Sequence, residues 1–347
     1  MSLAKHILVI RLSAMGDVAM TVPVVKRVTE RFPDVKITFL TKGFLTPLFK
    51  NLRNVDVFEA DVNGRHKGVA GLKRLSRELQ DLGIDAVADL HNVLRSNILK
   101  VFFQLSGIPV KQIDKGRQEK KALTRRSNKI FLPLKTTHER YADVFDQLGF
   151  PIDLTSGSAL SKENLSPRAS ILVGEEPKKW LGVAPFAQHK AKAYPLDLVK
   201  ELLGRLEKEE NLKIFLFGGG REEEQLLSDL EKDCSNATSV AGKLKFEEEL
   251  ALISNLDAML SMDSGNGHIA ANYGIPVISL WGLTHPYTGF APFGQPLENS
   301  LLPDLDKYPA IPTSVYGKEI PKGYEDVMRT IPSEKVVGKV KELLLLK

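Results

Sequence analysis

The sequence is short of several things, and each shortage closes off a class of explanation. A single cysteine, Cys234, in 347 residues leaves no pair for an internal disulfide and no thiolate cluster for a metal, and it suits a reducing cytoplasm. No apolar run approaches the roughly 18 residues that a membrane-spanning helix needs. The opening residues lack the basic stretch and apolar core of an export signal, and Ile7 to Ile10 is long enough only for a first strand. Aromatic residues make up 7% of the chain, and the basic stretch 111–135 contains just Phe131, so its charge comes without a stacking platform for nucleic acid. No repeat recurs at the roughly 20 to 50 residue periods of solenoids. What remains, 43% hydrophobic and 26% charged, is an ordinary globular composition, and the length implies two domains.

The net charge of +5 conceals an asymmetry. Residues 1–150 hold 26 Lys and Arg against 15 Asp and Glu, net +11, whereas the remainder holds 22 against 28, net −6. Such a basic half meets an anion or simply keeps the chain in solution. The anions open to it are acidic lipid headgroups or a phosphorylated substrate.

Hydrophobic spacing gives the fold class. Ile7–Ile10 reads as a strand, and Val22, Val25, Val28 and Phe32 recur at helical spacing behind it, with Pro23 in the first turn. Strands at Val35–Leu40, Val55–Phe58 and Ala86–Leu90 alternate with a helix across Leu72, Leu75, Leu79 and Leu82. Residues 111–135 break the pattern and read as a solvated loop or mobile helix, and His138–Leu148 is helical again. A second alternation runs through strands at Trp180–Ala184, Lys213–Phe217, Ala258–Met262 and Val277–Trp281. Its helices are read at Pro195–Leu206, Glu222–Leu230, Phe246–Ile253 and Ile269–Tyr273, and a last helix at Ser333–Leu346. Strand–helix alternation implies parallel sheets covered on both faces. The expectation is two facing Rossmann-like α/β domains with a ligand in the inter-domain cleft, at the carboxyl ends of the strands. Residues 151–178 read as the connection. The domains are drawn as 1–160, a linker at 161–178, 179–330, and a terminal helix in 331–347.

Three strand-to-helix turns carry chemistry. Asp263-Ser264-Gly265-Asn266-Gly267-His268 would present unpaired N–H groups at a helix start, a seat for phosphate, although glycines there also serve a bare tight turn. Asp17, after the first strand, is placed either to take a proton from a hydroxyl or to cap the following helix. Lys190 and Lys192 lie between a strand and a helix of the second half, where an ammonium would offset charge on a departing diphosphate or remain a solvated surface group. Glu222, Glu223 and Glu224 after Gly218-Gly-Gly220 either hold ribose hydroxyls or give a favourably charged first helical turn.

Taken together, Ser13-Ala-Met-Gly-Asp17 with Thr21-Val-Pro23, Asp89-Leu-His-Asn-Val-Leu-Arg95-Ser96, Lys192-Ala-Tyr-Pro195, Asp263-Ser-Gly-Asn-Gly-His268 and Gly282-Leu-Thr284-His-Pro286 occur in order across nearly the whole chain. In this the sequence resembles the bacterial lipopolysaccharide heptosyltransferases of glycosyltransferase family nine. The resemblance implies a GT-B architecture and an inverting, metal-independent transfer of heptose from ADP-heptose to a lipopolysaccharide core acceptor of the Kdo–lipid A type, with no cofactor beyond the donor.

By the same resemblance Asp17 is the base and Lys192 meets the donor phosphates. Ser13, Met15, Gly16, Glu222, Asp263, Ser264, Gly265, Asn266, Gly267 and His268 line the donor, and Arg95, Arg117, Lys120 and Lys121 bear on the anionic, lipid-linked acceptor. The expected protein is a cytoplasmic monomer, peripheral at the inner membrane surface, with no nucleic-acid partner. Use of another nucleotide sugar, sugar-nucleotide epimerisation, and a non-catalytic nucleotide or polyanion binder are the competing readings.

Overall fold

The computed structural model describes residues 4–157, 159–175 and 178–346; residues 1–3, 158, 176, 177 and 347 of the expected domain and linker spans lie outside these. The chain divides into two compact units, one of residues 1–116 and 135–158, the other of residues 117–134 and 159–347.

The first unit runs β1 (His6–Ile10), α1 (Met15–Ala19), α2 (Val22–Arg31), β2 (Lys36–Thr41), β3 (Val55–Glu59), α3 (Gly68–Gln80), β4 (Ala86–Asp89), α4 (Leu94–Leu105) and β5 (Val110–Gln112). The next helix, α5 (Arg117–Thr124), groups with the second unit, and α6 (Thr137–Asp146) returns to the first. All five strands are parallel, in the order β3-β2-β1-β4-β5. Beyond His6, strand β1 is apolar, and it is buried throughout because helices cover both faces of the sheet. Leu8 and Ile10 join Leu40 and Val87 in one core with Leu75 of α3 and Leu99 and Phe103 of α4. Ile7, Val9 and Phe39 alternate to the other face, where α2 packs on α6. Helix α6 starts on a reciprocal cap, in which Thr136 Oγ1 accepts the Glu139 N–H and the Glu139 carboxylate accepts the Thr136 N–H.

The second unit continues with α7 (Pro167–Val173), β6 (Lys179–Ala184), α8 (Leu196–Leu206), β7 (Leu212–Leu216), α9 (Arg221–Lys232), β8 (Ala237–Ser239) and α10 (Phe246–Ile253). It ends with β9 (Ala258–Met262), α11 (Gly265–Asn272), β10 (Val277–Leu280), β11 (Ser300–Leu301) and α12 (Ser333–Leu344). Its six parallel strands are ordered β11-β10-β9-β6-β7-β8. Leu181, Val183, Ile214, Leu260 and Ile278 face Leu203 and Leu206 of α8, Leu227 of α9 and Val336 and Val340 of α12.

Three segments differ from the sequence reading. The expected linker contains α7, held by Pro167 in its first turn and by Ser166 Oγ, which accepts the Ala169 N–H at 3.2 Å. Stretch 111–135, read as a solvated loop or mobile helix, is helical in α5 but also supplies the end of the edge strand β5, and α5 buries Lys120 and Leu123. Helix α11 begins at Gly265, so its glycines form the first helical turn rather than a loop before it. A Cβ at Gly267 would stand 3.2 Å from Ser261 Oγ and 3.3 Å from Ser261 Cβ, so a side chain there would need Ser261 to shift by a few tenths of an ångström.

Both sheets reverse direction at a central strand. The chain builds outward from β1 through β2 to β3 and then returns to place β4 on the other side of β1; likewise β6, β7 and β8 are followed by β9 beside β6. Turns leaving the paired central strands diverge there, and ligands of open parallel sheets sit at this point, outside the carboxyl ends.

Phe103 is fully buried under α4. Phe103→Ala should cost about 3–5 kcal/mol in urea denaturation through lost burial and the cavity left behind; a loss under about 1 kcal/mol would mean that the α4 core relaxes freely.

Candidate active site

In the first unit the reversal brings the turn after β1 against the turn after β4. Arg11, the residue after β1, is a cation 7% exposed, and burial of that kind requires partners. Its Nη1 donates to the Leu90 carbonyl at 2.8 Å and its Nη2 pairs with Asp17 Oδ2 at 2.7 Å. Asp17 is not the N-cap of α1 but its third residue, and the same Oδ2 accepts the Ala14 N–H at 3.2 Å. The Arg11 and Ala14 contacts thus both fall on a single oxygen, Oδ2. Tyr141 of α6 donates its hydroxyl to the Asp17 carbonyl at 3.4 Å.

The opposing turn is organised by Asp89. This carboxylate is fully buried and accepts the His91 and Asn92 N–H groups on Oδ1, at 2.8 and 3.0 Å, and Gln112 Nε2 on Oδ2, at 2.7 Å. His91 Nδ1 accepts the Leu12 N–H at 3.4 Å. Burial, then the charges of Arg11 and Lys115, push this imidazole down to about 3. It is therefore neutral, with its hydrogen on Nε2.

In the second unit the reversal joins Lys192 to Asp263. Lys192 Nζ lies 2.7 Å from Asp263 Oδ2, with the side chains 14% and 6% exposed. Thr284, beyond β10, donates its hydroxyl to the same oxygen at 2.8 Å. The turn that carries Thr284 is seated closely: a Cβ on Gly282 would stand 2.5 Å from the Ala191 carbonyl oxygen. Behind Asp263, Ser264 starts α11 without capping it; its hydroxyl bonds Ser261 Oγ at 3.0 Å instead. The N–H groups of the first turn of α11 thus point outward without a side-chain cap, next to an ammonium, an arrangement suited to an anion. Ser264, Gly265 and Asn266 are half-buried, and Gly267 and His268 are buried.

The first turn of α9 separates the three glutamates. Glu223 folds back to accept the Gly219 N–H at 2.9 Å, whereas Glu222 is exposed. Ser13, Met15 and Gly16 lie with Asp17 in the turn after β1, half-buried, and Arg95 is exposed at the start of α4. Arg117, Lys120 and Lys121 are on α5 and so group with the second unit, apart from Arg95. Arg117 and Lys121 are exposed, while Lys120 is buried with its ammonium 4.3 Å from the Phe290 ring centre. Among the described residues no group of three or more His, Cys, Asp or Glu is placed to hold a metal. Sequence reasoning missed Arg11 and His91 as partners of this site. The available signal was a cation directly after a wholly apolar strand, which cannot be solvated where it stands.

Solved structures place this architecture. The fold matches the crystal structure of a family 9 glycosyl transferase from Veillonella parvula with a TM-score of 0.76 at 20% identity, covering 100% of this chain and 99% of that one. It also matches E. coli heptosyltransferase WaaC with ADP, TM-score 0.68 at 18% identity, covering 97% and 99%. Two Rossmann-like parallel-sheet units of this kind are the GT-B architecture. Residues 72–313 match the model of glycosyltransferase family 9 (heptosyltransferase). Over 359 aligned positions the chain is 24% identical to the lipopolysaccharide core heptosyltransferase OpsX of Haemophilus influenzae, covering 98% of this chain and 97% of that protein. The chain belongs to glycosyltransferase family 9, the heptosyltransferases.

Removing one member of the buried pair leaves the other charge stranded. Asp263→Ala should cost about 3–5 kcal/mol in urea denaturation and Thr284→Val about 1 kcal/mol; an Asp263→Ala protein as stable as wild type would contradict the pairing.

A second outcome concerns pH. Burial, with Lys129 as a second cause, pushes His285 down to about 4, as it pushes His91 to about 3. Both lie below the ordinary 6.5, so the unfolded chain takes up protons first. The stability these histidines contribute is whole above about pH 6.5 and is lost as pH falls towards the folded values. Urea midpoints should therefore drop between about pH 7 and 5, and a His91→Gln/His285→Gln protein should show a shallower drop. Lowered His6 keeps the drop from vanishing. An unchanged slope would refute the assignment.

Proposed function

We propose that the protein is an inverting heptosyltransferase that moves heptose from ADP-heptose to an anionic lipopolysaccharide core acceptor of the Kdo–lipid A kind. The observation that carries this reading is that each unit sets a charged pair at its own strand-order reversal, Arg11 with Asp17 in one and Lys192 with Asp263 in the other. Support comes from the relatives: one is a lipopolysaccharide core heptosyltransferase, and the WaaC structure was determined with ADP.

In this reading Asp17 takes the proton of the acceptor hydroxyl while that oxygen bonds to the anomeric carbon. The bond from that carbon to the diphosphate oxygen breaks on the opposite face, its electron pair leaves with ADP, and the configuration inverts in one displacement. Arg11 and the Ala14 N–H both address Oδ2 of Asp17, so Oδ1 is the oxygen that receives the proton. Lys192 and the N–H groups of Ser264, Gly265, Asn266 and Gly267 offset the charge that grows on the diphosphate, which makes a metal unnecessary. His268 backs that turn, Ser13, Met15 and Gly16 border the donor sugar, and Glu222 holds the ribose. Arg95, Arg117, Lys120 and Lys121 serve the phosphates and carboxylates of the acceptor. The protein works as a monomer on the cytoplasmic face of the inner membrane.

Transfer of labelled heptose tests the roles. Asp17→Asn should lower kcat by roughly 10²–10⁴-fold, the usual worth of a positioned base, while ADP binding is retained, and the product should carry the inverted anomeric configuration by NMR. Arg11→Met should lower kcat with little change in the KM for donor, and free guanidinium should restore part of it. EDTA should leave the rate unchanged. Asp17→Asn turning over at the wild-type rate would remove the base from its role. Among nucleotides, ADP and its sugars should raise the melting temperature by several degrees at saturating concentration; selective stabilisation by UDP or GDP compounds would point instead to another sugar donor.

A further inference from the structure

We propose that residues 117–134 form the surface by which the protein seats itself on an anionic lipid bilayer. The proposal rests on the membrane-peripheral reading above for its occasion and names the face that performs it. These 18 residues hold six Lys and Arg against one Glu. Directly after the cations, Ile130, Phe131 and Leu132 are 50%, 42% and 62% exposed. Single exposed apolar side chains are ordinary on protein surfaces. Three in succession beside a block of cations are not what a merely solvated charge run contains.

The backbone explains how the two sets come to lie together. Helix α5 turns Lys120 and Leu123 inward and leaves Lys121 exposed. At its end Arg125 and Arg126 are exposed, Arg125 Nε donates to the Asn128 carbonyl, and Asn128 adopts φ 49°. The chain reverses there, and the Ile130 N–H donates back to the Ala122 carbonyl at 3.1 Å. The apolar triplet is thereby laid beside the basic helix.

The hairpin-like segment is also firmly mounted on the second unit. The Lys120 ammonium sits 4.3 Å from the Phe290 ring centre. Lys129 donates to the carbonyls of Ala310 and of Pro312, the latter at 3.0 Å. Leu134 N–H reaches the Tyr287 carbonyl at 3.0 Å, and Phe131 packs against the edge of His285 at 5.1 Å. Because the fold already orders the segment, binding does not have to supply that entropy. Cations held near a negatively charged leaflet are attracted within a Debye length, and apolar side chains next to them enter the boundary between headgroups and acyl chains. A polyanion such as RNA would meet the charge, but it gives the exposed Ile130 and Leu132 nothing to enter.

Co-sedimentation of the full-length protein with vesicles tests this. Binding is expected to phosphatidylcholine vesicles containing phosphatidylglycerol, weakening as salt rises, with little binding to phosphatidylcholine alone. At about fivefold in partitioning per surface cation, Arg125→Gln/Arg126→Gln should reduce it by roughly 25-fold, and Ile130→Ser/Leu132→Ser should reduce it too. Both variants should keep the wild-type melting temperature and the wild-type rate on a deacylated, water-soluble acceptor. Vesicle binding that is absent, or unchanged in the Arg125/Arg126 variant, would overturn the proposal, as would salt-sensitive binding of RNA without binding of vesicles. A wild-type protein that binds vesicles but transfers no heptose to the soluble acceptor would refute the catalytic reading and leave this surface standing.

Discussion

The structure of the second unit turns on one buried ion pair, Lys192 with Asp263 at 2.7 Å. It ties the turn after β6 to the turn after β9, and Thr284 brings the turn after β10 to the same oxygen. Three neighbouring strand ends thus meet at a single carboxylate. A pair so enclosed gains little net stability over well-packed apolar residues, since both ions lose their water. Its value lies in what it fixes. It holds an ammonium at the uncapped head of α11 before any ligand arrives, so the reorganisation that an anion would otherwise require has been carried out by folding.

The first unit repeats the arrangement with opposite emphasis. Here the cation, Arg11, is the buried partner and the carboxylate of Asp17 is the more open one, with Arg11 and the Ala14 N–H both on a single oxygen. The same topology produces both: in each sheet the chain leaves a central strand, builds to one side and comes back to the other. In the proposed mechanism the carboxylate at one reversal acts as base and the ammonium at the other meets the diphosphate, which is why the pairs, more than the family match alone, carry that reading.

Much of this was legible in the amino-acid order. Buried parallel strands such as His6–Ile10 and Ala258–Met262 are short and almost wholly apolar, and α2, α3 and α8 show one apolar stripe each, so periodicity finds them. What escaped has physical reasons. Strands β5 and β8 are three-residue edge pieces whose polar residues outweigh any alternation. Helix α4 carries apolar residues on two faces, Leu99 and Phe103 buried but Leu94 and Leu105 exposed, which blurs the helical stripe. Helix α7 did advertise itself through Ser166 and Pro167, a cap and first-turn signal hidden among linker-like residues. For the site, Asp17, Lys192 and 263–268 were visible because each follows a strand. The bond of Arg11 to the Leu90 carbonyl and the contact of Leu12 with His91 were not, since they depend on the register of β1 against β4, which are about 80 residues apart in the chain and joined only by the finished sheet.

In the proposed mechanism Lys192, poised on Asp263, is the cation that receives the donor's phosphates. Calorimetric titration of ADP into the wild-type protein and into Lys192→Met, each shown to be folded, measures this directly. Binding should be weaker by roughly 10- to 100-fold in the variant, the worth of a charge-assisted hydrogen bond. Equal affinities for ADP in the two proteins would contradict it.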